Sequence, residues 1–453
     1  MTTVLHSNRR YLAWLISDTT KGLAQALFAF AVPLIALIVT DDPAQAGIIG
    51  AVSGGMRVTL MLYGGVLADR RNRIALMIMG SVLGALIALA FLLLALGEAL
   101  TFTTLLVLTA ALAARGGIYD TAGESALKDI VTDDTMGRAQ SANQARDAAL
   151  QLAGGPLGGM LLTGGAWLVA AVMGVLHAIA GFTAWLIPRT RGPRCLPAAP
   201  ESRSVARTTS MLHDAREGFS WLFSRADTRG SLMVLTTINL GVNTAMVTVT
   251  YALQQDGYSP TIIGWVGTGF GVAMLLGALG ATFLVSRIGA GAILIAGLIV
   301  FTLCTAAVSA LRDPIGIVIA LGVPGLILPA INAAIGGYFM VATPTELMGR
   351  ASSAMGIFSM GSMPFAPLIA GFGLALWGRG ATILIGAGIC AAAAILAITT
   401  PALRSIPAEK KWAAHARQFQ HPETCTQPND SGATAIGPTA ADQTVRSPGQ
   451  RDR

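Results

Sequence analysis

Residues 64–73 read Gly64-Gly65-Val66-Leu67-Ala68-Asp69-Arg70-Arg71-Asn72-Arg73. One carboxylate, three arginines and two adjacent glycines fill this short stretch. On either side lies an apolar run, about 44–68 and 74–96, long enough to cross a bilayer. A basic knot between two such runs is what a tight turn at a membrane surface requires. Whether it decides the fold depends on the rest of the chain repeating the pattern.

The rest of the chain does. Of 453 residues, 53% are apolar and only 12% are charged, and the mean hydropathy is +0.64. So few charges cannot cover a soluble protein of this size. Twelve apolar runs follow one another, at about 12–38, 44–68, 74–96, 102–126, 139–162, 166–187, 231–253, 261–285, 289–311, 315–341, 351–374 and 380–400. Each reaches the ~20 residues that a helix needs to span a ~30 Å hydrocarbon core. None alternates as barrel strands do, and only helices then satisfy the backbone in lipid. The expected fold is an all-α membrane protein of twelve transmembrane helices.

The net charge of +7 does not point to nucleic acid, because its distribution follows the membrane. With the N-terminus cytoplasmic, four of the 30 Lys and Arg lie within spans (Lys21, Arg57, Arg115, Arg146). Two (Arg312, Arg379) face outward, and the remaining 24 are cytoplasmic. That asymmetry places both termini in the cytoplasm of a multi-pass protein of the cell (inner or plasma) membrane. The four cysteines, Cys195, Cys304, Cys390 and Cys425, have neither metal-ligand nor disulfide spacing. The first span is too long for the core of a signal peptide and is read as retained.

The runs fall into two sixes. Residues 1–187 form a first six-helix bundle and 231–400 a second. Between them, 188–230 is a cytoplasmic linker rich in Pro, Ser and Arg. Within the linker, Met211, Ala215, Phe219 and Leu222 predict an amphipathic helix lying at the inner membrane surface. Residues 401–453 read as a disordered cytoplasmic tail. A repeat supports the division: Met136-Gly137-Arg138-Ala139 with Ser141 recurs as Met348-Gly349-Arg350-Ala351 with Ser353, each at a span start. Asp69-Arg70 has a weaker counterpart in Ser286-Arg287.

The opening loop resembles the loop between helices 2 and 3 of the major facilitator superfamily, whose pattern is roughly G-x-L-A-D-R-x-G-R-K/R. Gly65, Leu67, Ala68, Asp69, Arg70 and Arg73 match it, and Asn72 replaces its second glycine. The resemblance covers about residues 9–400. It implies two six-helix bundles working by alternating access, with Gly65, Asp69, Arg70 and Arg73 as a gate that latches the cytoplasmic ends of the halves together. The glycines there are expected to let a second helix approach, and Asn72 to stiffen the turn. Gly155-Pro156-Leu157-Gly158-Gly159 resembles the core of the helix 5 signature of proton-coupled exporters in that superfamily. Arg115 stands where the family carries a helix 4 arginine linked to proton transfer.

Eight charges lie inside spans 1, 2, 4 and 5: Asp18, Asp120, Glu124 and Asp147 against Lys21, Arg57, Arg115 and Arg146. A charge at the bilayer centre costs at least ~2.5–3.5 kcal/mol, so they must pair or face a cavity. Asp18 and Lys21 (i,i+3) and Asp120 and Glu124 (i,i+4) share helix faces. A desolvated carboxylate holds its proton more tightly and a nearby guanidinium reverses this, so an acid moved between the two settings can carry protons. Asp18, Arg115, Asp120 and Glu124 are the proton-coupling candidates. A static ion-pair lattice is the bland reading of Glu124, Arg146 and Asp147. Lys21, Arg57, Asn239, Asn243 and Asn332 are substrate-cavity candidates, the asparagines serving either substrate contact or cross-helix bonding. Asp129, Asp133 and Asp134 read as a solvated loop, and no metal site is expected.

The function that fits is secondary active transport. The expected form is proton-coupled efflux of a small lipophilic or amphipathic compound by a monomer, driven by the proton gradient without a cofactor. An uptake permease or uniporter of the same fold is the alternative. A polytopic membrane enzyme lacks support, since H-E-x-x-H and G-x-S-x-G are absent. An ATP-driven pump lacks its phosphate loop, and a channel its charged ring or filter.

Overall fold

The computed structural model describes residues 9–131, 133–187, 216–344 and 347–419, apart from the side chains at 62, 69, 129, 133, 134 and 137. The first half comprises α1 (Arg9–Thr40), α2 (Pro43–Arg70), α3 (Arg73–Leu96), α4 (Phe102–Tyr119), α5 (Thr121–Ile130), α6 (Asp133–Thr163) and α7 (Ala166–Trp185). After α8 (216–224) come α9 (Ala226–Gln255), α10 (Pro260–Arg287), α11 (Ala290–Val308), α12 (Pro314–Ala342), α13 (Met348–Gly361) and α14 (Phe365–Thr399). The short α15 (Pro401–Arg404) and α16 (Trp412–Arg417) close the described chain.

Three helix starts at the end away from the termini share one device. Asp42-Pro43, Ser259-Pro260 and Asp313-Pro314 each put a capping side chain before a proline at the first helical position. Proline has no N–H to lose there, and the cap satisfies a free donor, as Asp42 does for the Ala44 amide at 2.8 Å. Among the described residues, ten helices are long and apolar enough to cross a membrane. One of them, Met348–Thr399, holds two crossings. Its chain reverses at Gly378, whose φ is 73°, and a side chain at Gly373 would strike Thr382. Nine residues of straight helix would separate those positions by ~13.5 Å. Adding α6, whose first turns are polar, gives twelve crossings in two sixes. α4 and α5 form one crossing interrupted at Asp120, and α13 with the first part of α14 forms another, interrupted at 362–364.

The halves meet along two seams built on small residues. On one, side chains at Gly155 and Gly159 of α6 would strike the backbone of Gly264 and Pro260 of α10. Thr268 also donates to the Leu152 carbonyl at 3.0 Å. On the other, Gly47 of α2 meets Pro367 and Gly371 of α14. Such close backbone approach is how helices associate where no hydrophobic force drives them together. Gln254 adds a bond to the Leu34 carbonyl at 3.0 Å. These contacts start at the end away from the termini and reach Gly54 and Gly271, ~16–18 Å along their helices at 1.5 Å per residue. Beyond those positions the described glycines make no such close approach between the halves.

One expectation is sharpened here and another corrected. Helix α8 turns apolar residues onto the second half: Leu222 is fully buried, and Phe219 and Phe223 stack edge-on with Phe358 of α13. Its apolar face is used by the second half, while Met211 and Ala215 lie outside the described residues. Residues 401–419 are folded, and only 420–453 lie outside the described residues. Pro407 and Ile406 carbonyls accept from the Ala290 and Gly291 amides at 3.1 Å each, capping the free amino end of α11. Trp412, His415 and Ala416 are buried. Polarity of the flanking sequence hid a few large anchors.

Candidate functional site

The mid-membrane charges of the first half assemble into one cluster. Asp18 of α1 sits 2.8 Å from Lys21 Nζ and 2.7 Å from Arg146 Nη2 of α6. Arg146 also reaches Asp147 at 2.8 Å and lies over the Trp14 ring. Lys21 donates to the Asp120 carbonyl at 3.2 Å, so the lysine satisfies backbone at the break between α4 and α5. The approach of α1 depends on Gly123, where a side chain would displace Asp18 and Lys21. Trp14 holds the same contact by donating to the Gly123 carbonyl at 2.9 Å.

The Asp120 carboxylate faces two guanidiniums. Arg115 Nη2 is 3.6 Å away and Arg57 Nη2 of α2 is 3.9 Å away. Both distances exceed the ~2.7–2.9 Å of a closed charge-assisted hydrogen bond. Arg57 is the exposed member, with 39% of its side chain accessible against 5% for Arg115. The Gln25 amide oxygen accepts from Arg57 in the orientation that satisfies both ends of the amide. A cavity of about 60 Å³, lined by Gln25, Ser53, Arg57, Arg115 and His177 and floored by apolar side chains, opens beside them. One water centre needs ~10–15 Å³, so the space takes several waters or one small polar group.

Of the proton-coupling candidates, Asp18, Arg115 and Asp120 are brought together. Glu124 is not; it lies exposed on α5, because the amphipathic α5 turns that face outward. Arg146, read from sequence as part of a static lattice, belongs to the cluster. Of the cavity candidates, Lys21 is consumed by Asp18 and backbone, and Arg57 faces the opening. Asn239 donates to Ser359 of α13 at 2.9 Å and Asn243 to the Asn239 carbonyl at 2.7 Å, while Asn332 is exposed. The first two asparagines therefore bond within the second half.

The contacts described for the loop at 64–73 lie within its own half. Arg73 donates to the Ser125 carbonyl of its own half at 2.9 Å and Arg70 is exposed. Asp69 ends α2, its side chain among those not described. Gly64 admits the α4 backbone, whereas open space surrounds Gly65, which corrects its expected packing role. Asn72 does not stiffen a left-handed turn. With φ −64° and ψ 113° it caps α3, accepting from the Ala75 amide at 3.1 Å. In the helix 5 motif, Gly155 and Gly159 form the seam to α10, and Gly158 admits Phe30 of α1. Pro156 lies inside α6.

Two groups escaped the sequence reading. Gln25 continues the stripe of Asp18 and Lys21 on α1, a signal the spacing carried. His177 of α7 is 1% exposed in a membrane helix, and an ionisable residue there merits a role by default. The second half also holds a buried charge pair, which lies outside its apolar runs. Asp227 accepts from Arg225 at 2.7 and 3.1 Å, from Tyr338 at 2.6 Å and from the Thr228 amide at 2.9 Å. Arg225 also donates to the Ala342 and Ala416 carbonyls. The apolar run starts at Ser231, after these residues, so they read as linker.

Comparison with known proteins fits this architecture. The solved nucleoside transporter NupG is 15% identical, with a TM-score of 0.60 over 87% of this chain and 99% of that one. A bacterial homolog of the human lysosomal transporter Spinster, solved inward-facing and unoccupied, is 14% identical, with a TM-score of 0.64 over 92% and 98%. At such identities the likeness is one of fold. No curated protein matches significantly. The model of the Major Facilitator Superfamily matches residues 19–237 and again 230–427, once for each six-helix half. The chain therefore belongs to the major facilitator superfamily, as a multi-pass membrane protein and secondary transporter.

Proposed function

We propose that the protein is a proton-coupled exporter that expels a small amphipathic compound by alternating access. It works as a monomer with both termini in the cytoplasm of the cell membrane. The observation that carries this reading is the placement of Asp18 and Asp120 among Lys21, Arg57, Arg115 and Arg146 in mid-membrane. Four helices of one half converge there, on the open side of the seams. An acid held by neighbouring cations is ionised, and moving those cations away favours its protonated form. Rocking the halves opens or closes the space beside that cluster to water, which changes the solvation of Asp120 and its hold on a proton. Arg57, Arg115 and Asp120 supply the alternating partners, while Asp18 anchors α1 to α6.

The positive-inside distribution supports cytoplasmic termini. The seams then close the outer side and the cavity opens inward, the state in which the Spinster homolog was solved. Export is supported by the helix 5 motif, whose Gly155 and Gly159 form the outer seam that must part to release cargo. The gate residues Gly65, Asp69, Arg70 and Arg73 are proposed to engage the second half only once that seam opens. The test is an efflux screen of amphipathic compounds in a pump-deficient host, with and without an uncoupler. Transport of the hits is then measured in proteoliposomes under an imposed pH gradient. Asp120→Asn and Asp18→Asn should each abolish gradient-driven flux; unchanged coupling in both variants would remove these acids from the mechanism.

A further inference from the structure

The charge count of the first-half cluster does not close. Its bases are Lys21, Arg57, Arg115 and Arg146, its acids Asp18, Asp120 and Asp147, so four against three leaves one positive charge over. Geometry locates the surplus. Lys21 and Arg146 have carboxylate oxygens at 2.7–2.8 Å. Arg57 and Arg115 share only Asp120, at 3.9 and 3.6 Å. Asp120 Oδ1, Arg115 Nε and His177 Nδ1 are buried without a hydrogen-bond partner among the described residues. Arg115 and His177 are 5% and 1% exposed and line the cavity into which Arg57 opens. Buried polar groups left unpaired in a native protein call for an explanation, commonly a missing ligand.

We propose that this cavity receives the anionic head of the transported compound, an amphipathic monocarboxylate or similar monoanion. Its charge lands on Arg57, with Arg115 and His177 behind it. The inference rests on reading the cavity as part of a transport path. Waters alone would fill the unpaired valences, yet they leave the surplus charge of Arg57 at the cavity mouth without a counter-ion. A cationic compound would meet that surplus as repulsion. A sugar-like compound would find few neutral polar partners in the lining, namely Gln25, Ser53 and His177. The apolar floor, with Phe28, Leu112 and Met173, suits a hydrocarbon body. A planar guanidinium is the side chain best matched to a carboxylate. Asp120 keeps Arg115 when the incoming anion takes Arg57, so the proton-carrying acid and the binding group remain distinct.

The test pairs acids with their neutral twins on the purified full-length protein. Naphthylacetate, decanoate and salicylate are each compared with the corresponding carboxamide, reading ligand-induced thermal stabilisation at pH 7. Acids should act at concentrations at least tenfold below their amides. Arg57→Gln should bring each pair within twofold, and Arg57→Lys, which keeps the charge, should retain a reduced preference. Equal action of acids and amides, no binding of any acid, or an intact preference in Arg57→Gln would overturn the proposal. Proteoliposome flux separates this from the transport reading. Acids that bind selectively but never move under a pH gradient sink the exporter and spare the site. Amides that move as fast as acids do the reverse.

Discussion

The first half holds its charges in mid-membrane on four helices, loosely around Asp120 and beside a cavity. The second half holds Arg225 and Asp227 at its terminus-bearing end, 5% and 0% exposed, with the carboxylate taking four hydrogen bonds. Both are buried ionic networks, and burial alone would grade them alike. Satisfaction separates them. A saturated network has no valence left for a ligand or proton, so it fixes structure; an unsaturated one beside open space can exchange partners. Pseudo-symmetric halves have thus divided the work, with adaptable charge in one and an anchored tail in the other.

The largest expected effect attacks the saturated side. Arg225→Ala strands Asp227 and should cost about 3–5 kcal/mol of stability, the usual loss when one member of a buried pair is removed. Thermal unfolding in detergent would measure it. Arg57→Gln, at an exposed and loose pair, should cost no more than about 1 kcal/mol. The reverse order of stabilities would break the comparison.

Next is the seam that lets the adaptable half move. A side chain at Gly155 would meet the Gly264 backbone at 2.8 Å. Gly155→Val should therefore penalise the seam-closed state by the ~1–3 kcal/mol typical of overpacking, shifting populations ~5–150-fold toward the opposite opening. Distances between spin labels on α6 and α10 would report it; an unchanged distribution would show that the seam does not set the state.

Smaller still, Asn72→Ala should cost about 1 kcal/mol through loss of the α3 cap, while Asn72→Gly should cost only a few tenths. Equal losses would mean the residue matters for something other than capping. Glu124→Gln, outside the cluster, should change stability by less than about 0.5 kcal/mol and leave gradient-driven flux intact. Lost coupling there would extend the adaptable network onto α5.

Legibility followed the range of the interaction. Asp18 and Lys21 were visible as a pair because three residues of helix place them together. Gln25 lies on the same stripe of α1, whereas Arg146 and His177 joined them through packing of α6 and α7, which spacing does not encode. The partnership of Asp227 with Tyr338 spans 111 residues and begins in what reads as linker. Residues 401–419 looked solvated because average polarity weighed more than Trp412, the ring that docks them.

By itself the sequence determined the spans and their number, because a bilayer imposes one length and one polarity rule on every segment. It also marked residues 64–73 as the turn that repeats across the family. Only the tertiary structure decided which buried charges are saturated, which seam is shut and which arginine faces open space. Those depend on Å-scale distances between helices far apart in the chain, and no local pattern of residues fixes them.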